Sequence, residues 1–214
     1  DIIVGLDLGT TKVCAVIAEK IPEQNRIDVL GFGVAPSEGL HKGLVANIGK
    51  TAEAIKSAMA IASNRAGFEV TVVNVGVAGE HITSMRHRNY VTINRDEKEI
   101  TKEDLERLEA DVRTIRIPSD RQILHIIPEE FSIDHQSGIE NPIGMSGSRL
   151  EASNHVVLAS IPAMENIRKS VERAGYQVQD YILQPIASSA SVLEESEKDL
   201  GVALIDIGGG TTDI

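Results

Sequence analysis

One cysteine among 214 residues cannot form an internal disulfide, so a bridge-stapled fold is excluded and a reducing compartment is expected. The apolar neighbours Val13, Ala15 and Val16 make Cys14 a buried strand residue rather than a nucleophile. Positive charge is scarce: 21 Lys and Arg face 32 Asp and Glu, and the formal net charge is −11. That balance speaks against a broad surface for nucleic acid, though not against a local basic pocket. No apolar run approaches the roughly 20 residues needed to span a bilayer, and no secretory signal precedes Asp1, so a soluble chain is expected. An initiator Met is also lacking and the sequence stops inside a glycine-rich loop, the pattern expected of a piece of a longer protein. The scattered histidines, including His81 and His87, show no zinc-site spacing with Cys or carboxylates.

What the chain does contain is one phrase written twice: an apolar strand, an aspartate, glycine, then paired threonines. It reads Val4-Gly5-Leu6-Asp7-Leu8-Gly9-Thr10-Thr11 near the start and Leu204-Ile205-Asp206-Ile207-Gly208-Gly209-Gly210-Thr211-Thr212-Asp213 at the end. Each copy predicts a buried strand running into a tight hairpin, where glycine permits positive φ and backbone amides crowd around an anion. A single Asp-x-Gly-Thr is usually only a β-turn; two copies behind apolar strands predict a pair of phosphate cradles. Asp7 and Asp206 would repel a bare polyphosphate, so they predict a bridging divalent cation, magnesium with much of its water shell, held through water. Gly9, Thr10, Thr11 and Gly208, Gly209, Gly210, Thr211, Thr212 are the candidate nucleotide-binding residues. Lys12, directly after the first hairpin, is either a solvated lysine or a cation near the β- or γ-phosphate. Two hairpins this far apart imply two related lobes gripping one nucleotide.

Between the hairpins the pattern predicts strands over Ile2 to Leu8, Val13 to Ala18 and Ile27 to Val34, with turns at Gly9 and Pro22. A helix follows with Asn47 as N-cap, Ile48, Ala52, Ile55, Met59 and Ala62 on one face and Gly67 closing it; Val70 to Val77 returns as a strand. From about Glu80 to Ser160 the texture changes. Arg86, Arg88, Arg95, Lys98 and Lys102 lie among Asp96, Glu97, Glu99, Glu103 and Asp104, and the run from Arg95 to Asp111 reads as a solvated helix face. Thr101 and Asp104 form a capping box ahead of the stripe Leu105, Leu108, Val112 and Ile115. Strands are predicted over Arg121 to Asp134 and Leu150 to Ala159, with a loop from Gln136 to Ser148 between them, making a small α+β insert. Pro162 then starts a helix whose inner face is Met164, Ile167, Val171 and Ala174.

Two other motifs fail on spacing. Gly43 to Thr51 tempts a Walker A reading, but five residues separate Gly43 from Gly49 where that loop needs four, so Asn47 is better read as a helix cap. Gly31-Phe32-Gly33 lacks the third glycine and the helix of a dinucleotide fingerprint.

With Gln184-Pro185-Ile186-Ala187-Ser188-Ser189-Ala190 standing between the hairpins, the chain resembles the actin-like (ribonuclease H-like) ATPase superfamily. The resemblance implies an α/β fold and ATP with Mg2+ as ligands. It makes Gln184, Asp7 and Asp206 the catalytic set, with Gln184 positioning the attacking water; a glutamine can orient water but is no strong base. The insert makes the resemblance narrower. A strand ending near Val77-Ala78-Gly79-Glu80-His81-Ile82, and the segment Asn141-Pro142-Ile143-Gly144-Met145-Ser146-Gly147 before Arg149, are similar to the FtsA family of bacterial cell-division proteins. It implies an actin-like lobe over 1–80 and 161–198, an inserted subdomain of FtsA type (1C) over 81–160, and the start of a second lobe over 199–214. It also implies head-to-tail self-assembly into filaments, contact with late division proteins through the insert, and no nucleic acid. Contact with FtsZ would run through a region not present here, and attachment to the inner membrane through a C-terminal amphipathic helix. The corresponding location is the bacterial cytoplasm, at the cytoplasmic face of the inner membrane at the division site. Two alternatives stay open: a pilus-assembly ATPase of the PilM type, which shares the insert, and a sugar or acetate kinase of the same superfamily, for which no carboxylate base stands out in the insert.

Overall fold

A computed structural model describes residues 1–22, 26–95 and 97–214. Asp96 and the continuation of the turn expected at Pro22 lie outside them. The described residues divide into two compact units, Asp1–His81 with Ile161–Ile214, and Ile82–Ser160.

The first unit is built on a five-stranded sheet in the order β11-β6-β1-β2-β3. Strands β1 (Ile2–Leu8), β2 (Lys12–Ile21) and β3 (Arg26–Pro36) form an antiparallel meander. A short hairpin, β4 (Leu40–His41) and β5 (Leu44–Val45), leads into α1 (Ile48–Ala66), which crosses over to β6 (Val72–Val77), parallel to β1. Asn47 caps α1 as expected, its Oδ1 accepting from the Lys50 amide at 3.0 Å, and Gly67 ends it in the left-handed region at φ 83°. The Walker-like stretch is therefore a hairpin and a helix cap. Its Thr51 is buried, with Oγ1 donating to the Asn47 carbonyl at 2.9 Å.

Strict alternation along β1 buries Val4, Leu6 and Leu8 on one side and leaves Gly5 and Asp7 on the other. The buried side joins Val13, Ala15 and Ile17 of β2 and Val73, Val75 and Val77 of β6 to the inner faces of α1 (Ile55, Met59, Ala62) and α3 (Ile161–Arg173; Met164, Ile167, Val171). Each large side chain removed from water in this way contributes about 1.5–3 kcal/mol. Helix α1 can lie close on β3 because Gly31 and Gly33 carry no side chain: a Cβ there would sit 2.3 Å from the Ala62 carbonyl oxygen or 2.0 Å from that of Ala58. After α3, β11 (Gln177–Leu183) pairs parallel with β6, a strand the hydropathy pattern does not announce. Then come α4 (Gln184–Val192), α5 (Glu195–Leu200) and a terminal hairpin of β12 (Asp206–Ile207) and β13 (Thr212–Asp213). Residues 199–214 are grouped with this first unit.

The second unit is a four-stranded antiparallel sheet in the order β7-β10-β8-β9, with α2 (Lys102–Val112) packed on it. Strands β8 (Arg121–Ile133) and β10 (Arg149–Ser160) lie where alternation predicts them. Two strands were not foreseen: β7 (Ile82–Thr92), whose charged outward residues mask its period, and β9 (Gln136–Ile139), inside the segment expected to be all loop. Val91, Ile93, Ile100, Leu108, Ile133, Ile139 and Leu150 form its core.

The capping box is present, with the Thr101 amide donating to Asp104 Oδ2 at 2.9 Å. The expected solvated face is not continuous, however. Asp104 is fully buried and takes Arg95 at 2.7 Å and Arg107 at 3.2 Å on Oδ1. A buried asparagine pair completes the inner polar set: Asn154 Nδ2 donates to Asn89 Oδ1 at 3.0 Å, and Asn89 Nδ2 donates to the Leu108 carbonyl at 2.8 Å and to Asp111 at 2.9 Å. It ties β10 and β7 to the end of α2.

Candidate functional site

The two hairpins meet within the first unit. Gly9 N donates to the Lys12 carbonyl at 3.0 Å, and Gly208 N donates to the Thr211 carbonyl at 2.9 Å, so each turn closes by the same bond across three residues. This pairing corrects the alignment of the repeated phrase. Thr10 and Thr11 form the tip of the first hairpin, whereas Gly209 and Gly210 form the tip of the second, Thr211 closes that turn and Thr212 starts the return strand.

The glycines also serve a different purpose from the one expected. None of Gly9, Gly208, Gly209 and Gly210 has positive φ. Their need for no side chain is spatial: a Cβ on Gly209 would sit 2.3 Å from Thr11 Cγ2, and one on Gly210 would sit 2.7 Å from Thr10 Oγ1. The tips touch, and only glycine fits. With Gly9 N and Gly208 N engaged in the turns, the tip amides left to meet an anion are those of Thr10, Thr11, Gly209 and Gly210.

Between the hairpins and the open side of the sheet lies a cavity of about 720 Å³. That volume falls in the range of small-molecule sites. Asp7, Gly9, Thr10, Thr11, Lys12, Gln184, Asp206, Gly208, Gly209 and Thr211 line it; Gly210 and Thr212, also expected there, do not. Thr212 is exposed and pairs with Ile207. The second copy also departs from the expected buried strand, because Ile205 and Ile207 are 57% and 79% exposed and β12 pairs only with β13.

Register places Asp7 between Cys14 on β2 and Gly76 on β6. Gln184, the first residue of α4, donates from Nε2 to Asp7 Oδ1 at 2.5 Å, which leaves its amide oxygen as an acceptor for water. Gly76 makes room for this pair, since a Cβ there would sit 3.2 Å from Gln184 Cγ and 3.7 Å from Asp7 Oδ1. One turn further along α4, Ser188 Oγ donates to Asp206 Oδ2 at 3.3 Å. Asp213, directly across the hairpin from Asp206, is a third carboxylate on the wall.

Burial raises the Asp7 carboxyl above its ordinary value; Lys12 opposes this and Asp206 adds to it. Asp213 is raised by burial and then by Asp206, against a hydrogen bond from Thr211. Cys14 is half-buried on the cavity wall rather than fully buried, and its thiol is pushed up by burial and by Asp7, which keeps it protonated. Among the described residues no three His, Cys, Asp or Glu side chains converge as direct metal ligands. Like-charged carboxylates on one wall, with Asp7 and Asp213 made harder to ionise, fit a hydrated divalent cation held mainly through its waters.

Gly76, Ser188 and Asp213 escaped sequence reasoning. Ser188 was accessible as the fourth residue after Gln184 on a helix, and Asp213 as the partner of Asp206 in a hairpin centred on Gly209-Gly210. Gly76 had no local signal, because it is defined by a neighbour 108 positions away, at residue 184.

Residues 79–158 match the model of the SHS2 domain inserted in FtsA. The chain is 45% identical over 212 residues to the cell division protein FtsA of Pseudomonas aeruginosa, covering 99% of this chain and 50% of that protein. It is 38% identical over 213 residues to the cell division protein FtsA of Escherichia coli K12, covering 100% of this chain and 50% of that protein. It therefore spans about half the length of the curated relatives it matches. Among solved structures it superposes on a chain of a PilM-PilN type IV pilus biogenesis complex with TM-score 0.62 at 16% identity, covering 88% of this chain and 49% of that one, a likeness of fold. The match over the insert and the identities over the whole length show that the fold is actin-like and that the chain belongs to the FtsA family.

Proposed function

We propose that the whole protein of which these residues form part is an ATP-binding, filament-forming scaffold of bacterial cell division, linking FtsZ to the inner membrane. The observation that carries the nucleotide half of this reading is the cavity walled by two matched hairpins, three carboxylates and Gln184. The tip amides of Thr10, Thr11 and Gly209 receive phosphate oxygens, Lys12 offsets their charge, and Asp7 and Asp206 hold the water shell of a magnesium ion. When bound, that ion neutralises phosphate charge. The Gln184 amide oxygen orients a water; without a strong base beside it, hydrolysis is slow at most.

The division half rests on the relatives, each named a cell division protein FtsA. In this reading FtsZ and the membrane are engaged by parts of the protein outside these residues, and the 81–160 insert meets late division proteins and the next subunit. The site of action is the cytoplasmic face of the inner membrane. The PilM likeness is one of fold and carries no separate reading.

In the full-length protein, Asp7→Ala or Asp206→Ala weakens MgATP binding by about 10-fold or more, the equivalent of about 1.4 kcal/mol. Unchanged affinity in a calorimetric titration would sink the site. Co-sedimentation with FtsZ tests the division role, and no binding by the full-length protein would remove it.

A further inference from the structure

Helix α4 carries three serines, and two of them bond within the helix: Ser189 Oγ donates to the Ile186 carbonyl at 2.8 Å and Ser191 Oγ to the Ser188 carbonyl at 2.9 Å. Ser188 Oγ instead leaves the helix for Asp206 Oδ2. Gln184, four residues earlier and so on the same face, leaves the helix for Asp7 Oδ1. One helix therefore grips both hairpins, each by its aspartate. The four-residue spacing on one helix fixes the two grips relative to each other.

We infer that α4 is a yoke that presents Asp7 and Asp206 together to one hydrated divalent cation, with Ser188 as the positioning residue for Asp206. This rests on the nucleotide reading above and adds a residue, itself on the cavity wall, whose role is to place a carboxylate. A positioning role has its own signature. Loss of the Ser188 hydroxyl removes no carboxylate and no tip amide but frees Asp206 to turn away, so the defect falls on the concentration of cation required and is overcome by excess cation. Folding is not the confounder, because alanine suits a helix interior better than serine.

The test titrates Mg2+ at fixed ATP in the full-length protein and reads nucleotide binding directly, beside a thermal melt without ligand. Ser188→Ala raises the Mg2+ concentration at half-saturation by about 2- to 10-fold, the span expected for one long, solvent-exposed hydrogen bond, with affinity at saturating Mg2+ within about 2-fold. Ser188→Thr, which keeps the hydroxyl, restores the midpoint, and Ser189→Ala leaves it unchanged. In the background of Asp206→Asn, Ser188→Ala adds no further shift, whereas independent roles would add. A wild-type Mg2+ midpoint in Ser188→Ala, or an equal defect in Ser188→Thr, overturns the yoke. If Asp206→Asn itself leaves the Mg2+ midpoint unmoved, the cation reading of the cavity fails and takes the yoke with it. A shift in Asp206→Asn without one in Ser188→Ala removes the yoke alone.

Discussion

Asp7 sits on the polar side of a strand whose other side is core, and its charge is held there against burial and against Asp206. A carboxyl whose folded value lies above its unfolded one contributes stability that is complete below the ordinary carboxylate range and is lost as pH rises through the folded value. At neutral pH the ionised group is therefore carried at a cost to the fold, offset in part by Lys12 and further when a cation arrives. Asp7→Asn removes the charge and keeps an oxygen for the Gln184 amide. The expected outcome is a higher melting temperature of the ligand-free protein at pH 7, combined with MgATP binding weakened by about 10-fold or more. The gain shrinks as the pH is lowered towards 4. A melting temperature that falls on substitution would show that Asp7 is not under strain of this kind.

In the insert, two sets of arginines with the same charge have opposite standing. Arg86 and Arg88 project from the outer side of β7, where Arg86 meets Glu129 at 3.4 Å with most of its side chain in water. Arg95 instead closes over Asp104, whose carboxyl, raised by burial, is brought below its ordinary value by the Thr101 amide and by the Arg95 and Thr101 side chains. A lowered carboxylate contributes stability present above the unfolded value near 4 and lost as pH falls through the folded one. Arg95→Glu should thus destabilise the insert by about 1–3 kcal/mol, because it takes the nearest cation from a buried carboxylate, leaving it Arg107 and Thr101, and sets a like charge beside it. Reversing Arg86 and Arg88 should change stability by no more than about 0.5 kcal/mol, the norm for exposed sites. In the full-length protein the surface pair is the proper probe of assembly: reversal is expected to impair filaments or partner recruitment and keep MgATP affinity within about 3-fold. Electron microscopy on lipid beside a nucleotide titration reads both. Loss of nucleotide binding with normal filaments would move the insert into the active site and favour a kinase.

Across these 214 residues as a whole, the most lightly held part of the site is the second hairpin. Leu200, Ile207 and Ile214 are 89%, 79% and 86% exposed, and the two-residue strands of this hairpin pair only with each other. A cavity with one wall so lightly held keeps few of its contacts in place, and ordering that wall on binding costs free energy. The 214 residues taken alone should therefore bind ATP only at around millimolar concentration or weaker. Micromolar binding by calorimetry would show that this part suffices and that the two-lobe grip is wrong.

The sequence by itself determined the elements whose signal is local. Alternation gave β1, with Asp7 on the side opposite Leu6 and Leu8; helical spacing and the caps Asn47 and Gly67 bounded α1; the twice-written phrase located both hairpins. These are properties of consecutive residues, and short-range sterics and hydrogen bonds enforce them wherever the segment lies. Only the tertiary structure decided the rest, because the deciding partner was remote in sequence. Gly209 and Gly210 are glycine because Thr10 and Thr11 lie against them, not because the turn requires positive φ. Gly76 is glycine because Gln184 crosses it to reach Asp7. Asp104 is buried because Arg95 and Arg107 close on it, and β7 is a strand because β10 supplies its bonds in spite of an outward row of charges. No propensity within a few residues encodes such contacts; they exist once packing has brought the two ends of the chain together.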